Sequence, residues 1–473
     1  MCRYKVCKLK VGDIQMVEKV DFIKEDLIFS LLEKGKITDR NEIREILAKA
    51  RECKGISLGE VAKLLYLEDE ELLEELYDVA KYIKNKIYGK RVVLFAPLYT
   101  SNECTNNCLY CGFRHDNKEL HRKTLSLEEI VEEAKAIERQ GHKRLLLICG
   151  EDPRKTNVKH FTDAMEAIYK STDIRRINVE AAPMTVEDYR ELKKAGIGTY
   201  VIFQETYHRE TYRIMHPVGK KANYDWRITA IDRAFEGGID DVGVGALFGL
   251  YDYRFEVLGL LMHCMHFEEK YGVGPHTISV PRLRPALGAP LKEIPYKVTD
   301  KDFKKIVAIF RIAVPYTGII LSTRERAEFR DELLSVGVSQ ISAGSKTNPG
   351  GYQEDDDHAD QFEISDNRSL PKVMETICQQ GYIPSFCTAC YRRCRTGEHF
   401  MEYAKAGDIH EFCQPNAILT FKENLMDYAD EPLRKMGEEV ILKALEEIED
   451  EKMKTLTIAK LEEIEKGKRD IYF

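Results

Sequence analysis

The alternation of apolar and polar positions changes character near residue 91. Upstream, Asp21 to Lys34 and Asn41 to Ala50 interleave charged and apolar residues at helical spacing. Ser57-Leu-Gly-Glu60 is a capping-box sequence ahead of a further helix. The acidic run Glu68 to Glu75 suits the first turn and solvated face of another. Downstream, short apolar runs alternate with charged amphipathic stretches. Eight runs read as strands: near Val92–Phe95, Arg144–Cys149, Arg176–Glu180, Thr199–Phe203, Asp241–Leu247, Thr277–Pro281, Gly318–Leu321 and Gln340–Ala343. Between the first two, Ser126-Leu-Glu-Glu129 opens a helix with apolar Ile130, Ala134 and Ile137, and Gly141 closes it. Strand–helix repeats of this number predict an α/β fold, a (β/α)8 TIM-type barrel; a doubly wound sheet is the alternative. In either fold, ligands gather at the carboxyl ends of the strands. The chain divides into an N-terminal helical segment (1–90), the barrel (91–348) and a mainly helical C-terminal region (349–473). The charged tail from Leu433 to Lys468 reads as exposed helix with i,i+4 ion pairs.

Composition narrows the function. Hydrophobic residues make up 43% of the 473-residue chain, enough for a substantial core, and the net charge of −8 argues against a basic nucleic-acid footprint. No apolar run approaches the roughly 18 residues of a membrane span, and the first residues, Met1 to Cys7, lack an apolar signal core. A cytoplasmic protein with no membrane partner is expected. There, 13 cysteines are better read as metal ligands and free thiols than as disulfides.

Two cysteine groups carry the chemistry. Directly after the first strand, Cys104-Thr-Asn-Asn-Cys108-Leu-Tyr-Cys111 places three thiols at CxxxCxxC spacing. Zinc and ferredoxin sites usually take four protein ligands. Three suggest a 4Fe-4S cluster with one iron left open, and structural or zinc-binding thiols are the plain alternative. Further on, Cys387-Thr-Ala-Cys390 is joined by Cys413 in a second three-cysteine pattern, consistent with a second open cluster. Cys394 offers a fourth thiolate that would close this site as zinc or as a saturated cluster.

The first loop resembles that of the radical S-adenosylmethionine (radical SAM) enzymes. The resemblance implies that Tyr110 lies beside the adenine. It implies further that Gly150-Glu151 receives the SAM amino group, Glu180 the ribose, and Arg227 the carboxylate. Phe203-Gln-Glu-Thr-Tyr207, Ser279-Val-Pro-Arg-Leu-Arg284, Leu321-Ser-Thr-Arg324 and Ile341-Ser-Ala-Gly-Ser345 look like the aromatic amino-acid lyase branch. By that likeness Arg324 holds the substrate carboxylate, with Tyr99 and Ser342 as further contacts. The Cys387, Cys390, Cys413 spacing is similar to the tyrosine lyases of iron-only hydrogenase maturation, the HydG family, which usually have glycine where Cys394 stands. This implies two 4Fe-4S clusters, the second with an additional iron held by a histidine. His276 is preferred for that iron, because its turn lies on the barrel side opposite the first cluster; His266 is the other candidate. The implied reaction cleaves L-tyrosine at Cα–Cβ, after SAM yields a 5′-deoxyadenosyl radical, to p-cresol and dehydroglycine. Dehydroglycine then crosses the barrel interior and gives CO and cyanide at the second cluster. Implied partners are hydrogenase maturation proteins and a ferredoxin-type reductant. A thiamine-pathway tyrosine lyase, a non-catalytic iron–sulfur scaffold and a zinc-bearing nucleic-acid module are the alternatives; the C-terminal cysteines weigh against the first and the acidic charge against the last.

Overall fold

The structure is a computed structural model that describes residues 20–37, 39–354, 356–393, 395–406 and 409–473. Cys394 and the first residues, Met1 to Cys7, on which two of the expectations bear, therefore lie outside the described residues.

Helices Glu25–Gly35, Arg40–Ala50, Leu58–Leu65 and Glu70–Tyr88 precede the first strand. Ser57 and Glu60 form the anticipated capping box, each side chain bonded to the other's backbone N–H. Leu72, Leu76, Val79 and Ile83 turn inward from the last of these helices, which packs on the barrel helix Asp300–Ala313.

Among the described residues nine parallel strands follow: β1 (Arg91–Ser101), β2 (Arg144–Cys149), β3 (Arg176–Glu180), β4 (Tyr200–Glu205), β5 (Val242–Ala246), β6 (Thr277–Ser279), β7 (Gly318–Leu321), β8 (Gln340–Ser342) and β9 (Ile383–Ser385). The first eight close on themselves, because β1 pairs with both β8 and β2. The predicted (β/α)8 barrel is thus the observed one. Ser126 and Glu129 cap helix Leu127–Arg139 as anticipated.

β1 extends beyond both ends of the Val92–Phe95 run, because its two halves serve different neighbours. Ala96 to Tyr99 align with Leu145 to Ile148 of β2, whereas Arg91 to Val93 align with Ile383 to Ser385 of β9. β2 begins so late along β1 that a gap is left at the amino end of the barrel. β9, which sequence patterning did not predict, occupies it. The chain then runs directly from Ser385 to Cys387, so the second cysteine segment is delivered underneath the barrel.

Among the described residues, no helix is long and apolar enough to cross a membrane. The C-terminal helices are not free-standing either. Helix His410–Tyr428, which carries Cys413, is tied to the barrel by an ion pair between Arg175 and Glu423, both side chains almost fully buried. Arg175 also meets Asp470 at 3.1 Å, and the Asp470 backbone N–H donates to Glu423 at 2.9 Å. Removing one partner of such a buried pair leaves an uncompensated charge and costs about 3–5 kcal/mol. Arg175→Met is therefore expected to loosen this helix on the barrel. Hydrogen exchange across residues 410–428 should accelerate markedly; unchanged protection would mean that apolar packing alone holds the helix.

Candidate functional site

At the carboxyl end of β1 the backbone leaves the sheet and folds back over β2. Thr105 N–H donates to Glu151 O at 2.8 Å and Gly150 N–H to Ser101 O at 2.8 Å. A Cβ at Gly150 would sit 2.3 Å from Glu103 O, so only glycine lets the cysteine loop lie on the end of β2. Asn106 stitches the loop: its Nδ2 donates to Glu151 at 2.5 Å and approaches Cys104 Sγ at 3.8 Å, and its Oδ1 accepts from Lys221 N–H. Burial pushes the Cys108 thiol up to about 12 and the Cys111 thiol to about 11. Thiolates at such a site need a strong local positive charge, which bound iron supplies.

Beside this loop runs an open groove lined by Gly150, Glu151, Ala182, Met184, Lys220 and Trp226. Glu151 sits in it. Arg227 is buried rather than superficial. Its Nε donates to Phe203 O at 2.7 Å, and its guanidinium pairs with Glu205 at 3.3 Å. Lys221 meets the same carboxylate at 2.7 Å. Tyr110 is buried with its hydroxyl 2.8 Å from His216 Nε2.

Tyr99, Glu180, Arg324 and Ser342 converge on one cavity inside the barrel. The Tyr99 hydroxyl donates to Gln361 Oε1 at 2.8 Å. Arg324 presents one face to the Phe362 ring, 3.3 Å from its centroid, and makes no ion pair among the described residues. A guanidinium on the cavity wall with one face covered and its edge unpaired is built for a planar anion. Glu180 faces this cavity and not the neighbouring groove.

A second, smaller cavity lies at the amino end of the barrel, lined by Arg91, Val93, Arg144, His276, Gln340, Cys387, Cys390, Tyr391, Phe400 and Cys413. The second cysteine group and His276 are brought together there. His266 is not. It stacks on Phe22 at 3.9 Å and pairs with Asp232 at 2.8 Å on an outer helix. Burial pushes the Cys390 thiol up to about 12. It holds His276 below its ordinary value against the opposing pull of Asp241, with Arg144 and Arg91 adding to the effect, and this direction favours the neutral, metal-binding ring. Asp241 lies 3.6 Å from His276 Nδ1, and neither of its buried carboxylate oxygens has a hydrogen-bond partner. A carboxylate behind one ring nitrogen, with thiols in front, is the outer arrangement of a metal-bound histidine. Among the described residues no three ligand side chains converge on a single-ion position. In a polynuclear cluster each thiolate binds a different iron.

Gln340, on β8, lines both cavities. Asn178, Thr277, Ser279 and Ser342 face the upper one, leaving space where a barrel interior is ordinarily filled by branched apolar side chains. From Tyr99 to Val93 along β1 is about 20 Å at roughly 3.3 Å per residue.

Several residues of this site carry no recognisable sequence signal. Glu205 was hidden in Phe203-Gln-Glu-Thr-Tyr207, although its backbone stands at φ +71°, unusual for a non-glycine residue. Asn106, Lys221, Asp241, Gln340 and Gln361 resemble any polar residue until folding gathers them.

Comparison with known proteins finds the Radical SAM superfamily over residues 98–259 and the Biotin and Thiamin Synthesis associated domain over 279–383. The chain is 34% identical over 330 residues to 2-iminoacetate synthase of Salmonella typhimurium, covering 70% of this chain and 86% of that protein. A crystal structure of HydG, a maturase of the FeFe-hydrogenase, superposes with a TM-score of 0.94 at 55% identity, covering 96% of this chain and 100% of that one. The FeFe-hydrogenase maturase HydG from Carboxydothermus hydrogenoformans gives 0.83 at 44% identity, over 93% and 98%.

The Glu180 environment generates a pH prediction. Burial, then the negative charge of Glu205, push its carboxyl up to about 7, against the opposing pull of Arg324 and Arg227. An unfolded glutamate titrates near 4.3, so between these values the folded state holds the extra proton and stability falls as pH rises. Glu180→Gln removes that titration. Its melting temperature relative to the parent is expected to climb from pH 5 to pH 7 and level off above; parallel pH profiles would refute the assignment.

Proposed function

The chain belongs to the HydG family of radical SAM enzymes, and on that footing we propose that it is a tyrosine lyase whose second product is processed at the other end of its own barrel. The supporting observation is the pair of cysteine-lined sites at opposite ends of one barrel, with a polar cavity between them and Gln340 common to both compartments.

With SAM bound, the cluster of Cys104, Cys108 and Cys111 supplies a radical able to take hydrogen from the substrate amino group. The chain does the rest. Glu151 offers an acceptor to the SAM ammonium in the groove, and Arg227, steadied by Glu205 and Phe203 O, offers a cation to the SAM carboxylate. The fork of Arg324 takes the tyrosine carboxylate, while Tyr99 and Ser342 wall the same cavity. Burial of Arg227, Tyr99 and Ser342 keeps water away from the reacting atoms. Cleavage at Cα–Cβ releases p-cresol and dehydroglycine. Dehydroglycine is small and polar, and the interior offers Asn178, Thr277, Ser342 and Gln340 on the way down. At the lower end, Cys387, Cys390 and Cys413 would hold a second cluster and His276, backed by Asp241, an additional iron. That iron would supply the chemistry that turns the fragment into CO and cyanide for hydrogenase assembly, with a ferredoxin-type protein as the electron donor.

The two ends should separate in function. A Cys387→Ser, Cys390→Ser double variant is expected to go on converting tyrosine to p-cresol while losing CO. p-Cresol is followed by chromatography and CO by trapping on a haem protein, with circular dichroism to check that the C-terminal region remains folded. Equal CO from parent and variant would remove the second reaction from residues 387–413.

A further inference from the structure

Two sulfurs of the first cysteine loop each have a side-chain amide set against them. Asn106 supplies one, standing between Cys104 Sγ and Glu151. The other comes from far along the chain. Between β8 and helix Leu370–Gln379, residues 360–362 cross the upper cavity, and Gln361 and Phe362 both line it. Gln361 N–H donates to Thr347 O at 3.1 Å, and its carbonyl accepts from Gly112 N–H at 3.0 Å. The Thr347 hydroxyl donates to Asp360 at 2.7 Å. A Cβ at Gly112 would sit 2.6 Å from Asp360 O and 2.9 Å from Gln361 O. Glycine directly after Cys111 therefore lets this strap lie on the cysteine loop.

The Gln361 side chain spans two sites. Its Oε1 accepts from the Tyr99 hydroxyl at 2.8 Å, and its Nε2 approaches Cys111 Sγ at 4.0 Å. Turned the other way, the amide would set its oxygen against a sulfur that carries negative charge when iron is bound. In the observed orientation a chain of donors runs from Tyr99 O–H through the Gln361 amide to Cys111. Each bond polarises the next, so accepting from Tyr99 makes the amide a better donor. A donor on a cluster sulfur stabilises the reduced, more negative cluster and raises its potential. We infer that Gln361 is a positioning residue that hydrogen-bonds the first cluster through Cys111 and ties its reduction potential to Tyr99, on the wall of the upper cavity. The inference rests on the proposed reading of Cys104, Cys108 and Cys111 as cluster ligands and of that cavity as the tyrosine site.

The reduction midpoint of the first cluster tests it. Anaerobically reconstituted full-length protein is poised at a series of potentials and followed by electron paramagnetic resonance, the first cluster being recognised by its response to SAM in a parallel sample. Gln361→Met keeps the length of the side chain and removes the N–H. It is expected to shift the reduction equilibrium about three- to tenfold toward the oxidised cluster, tenfold being about 59 mV for one electron, with iron content and the SAM-insensitive signal unchanged. Tyr99→Phe keeps the amide and removes only the group that polarises it. A smaller shift of the same sign is expected there, and this variant carries the comparison if Gln361→Met takes up less iron. A strap that only covers the cavity predicts an altered KM for tyrosine and an unmoved midpoint. A parental midpoint in Gln361→Met, or in Tyr99→Phe where that variant carries the comparison, overturns the inference alone. Absence of iron from the first site overturns the cluster reading and the inference with it. A shifted midpoint, where the parent protein fails to cleave tyrosine, sustains the Gln361 contact and removes the substrate assignment instead.

Discussion

The backbone pairing of β1 is the constraint on which both ends of the molecule depend. One eleven-residue strand, buried along its whole length, bonds to β8, β2 and β9. Its upper half places Tyr99 in the cavity and launches the first cysteine loop over Gly150. Its lower half seats β9, which carries Cys387 under the barrel, and sets Arg91 beside it. Parallel pairing fixes the direction of both strands, so the two cysteine groups are held apart by backbone hydrogen bonds rather than by flexible loops. A slip in this register would move every β1 side chain to the other face.

The second theme is buried charge awaiting a partner. Arg324 has its face covered and its edge free, and the carboxylate of Asp241 stands behind His276. Leaving such groups unsatisfied costs on the order of 1–3 kcal/mol apiece, more for full charges. These groups lie at the places where substrate and metal are assigned. Fully buried Arg311, by comparison, donates to the carbonyls of Gly337, Pro315 and Thr317.

Much of the fold was legible in the sequence because apolar runs and caps are local signals. Strands near Arg144–Cys149, Arg176–Glu180 and Gly318–Leu321 and the Ser57 and Ser126 capping boxes appear where patterning placed them. β9 was not legible: three residues, Ile-Pro-Ser, with proline in the middle, read as loop. The cysteines announced themselves by spacing. Their supporting residues did not, since a lone Asp241, Glu205 or Gln340 acquires meaning only from neighbours far away in the chain. His266 and His276 were likewise separable only in three dimensions, where Asp241 and the thiols surround one and Phe22 and Asp232 the other.

The central claim is that one chain holds two polynuclear iron sites, at Cys104, Cys108 and Cys111 and at Cys387, Cys390 and Cys413. Anaerobic reconstitution followed by metal analysis tests it most directly. About eight or nine irons per chain and no stoichiometric zinc are expected from two four-iron clusters and the additional iron at His276. About four irons together with one zinc would contradict it.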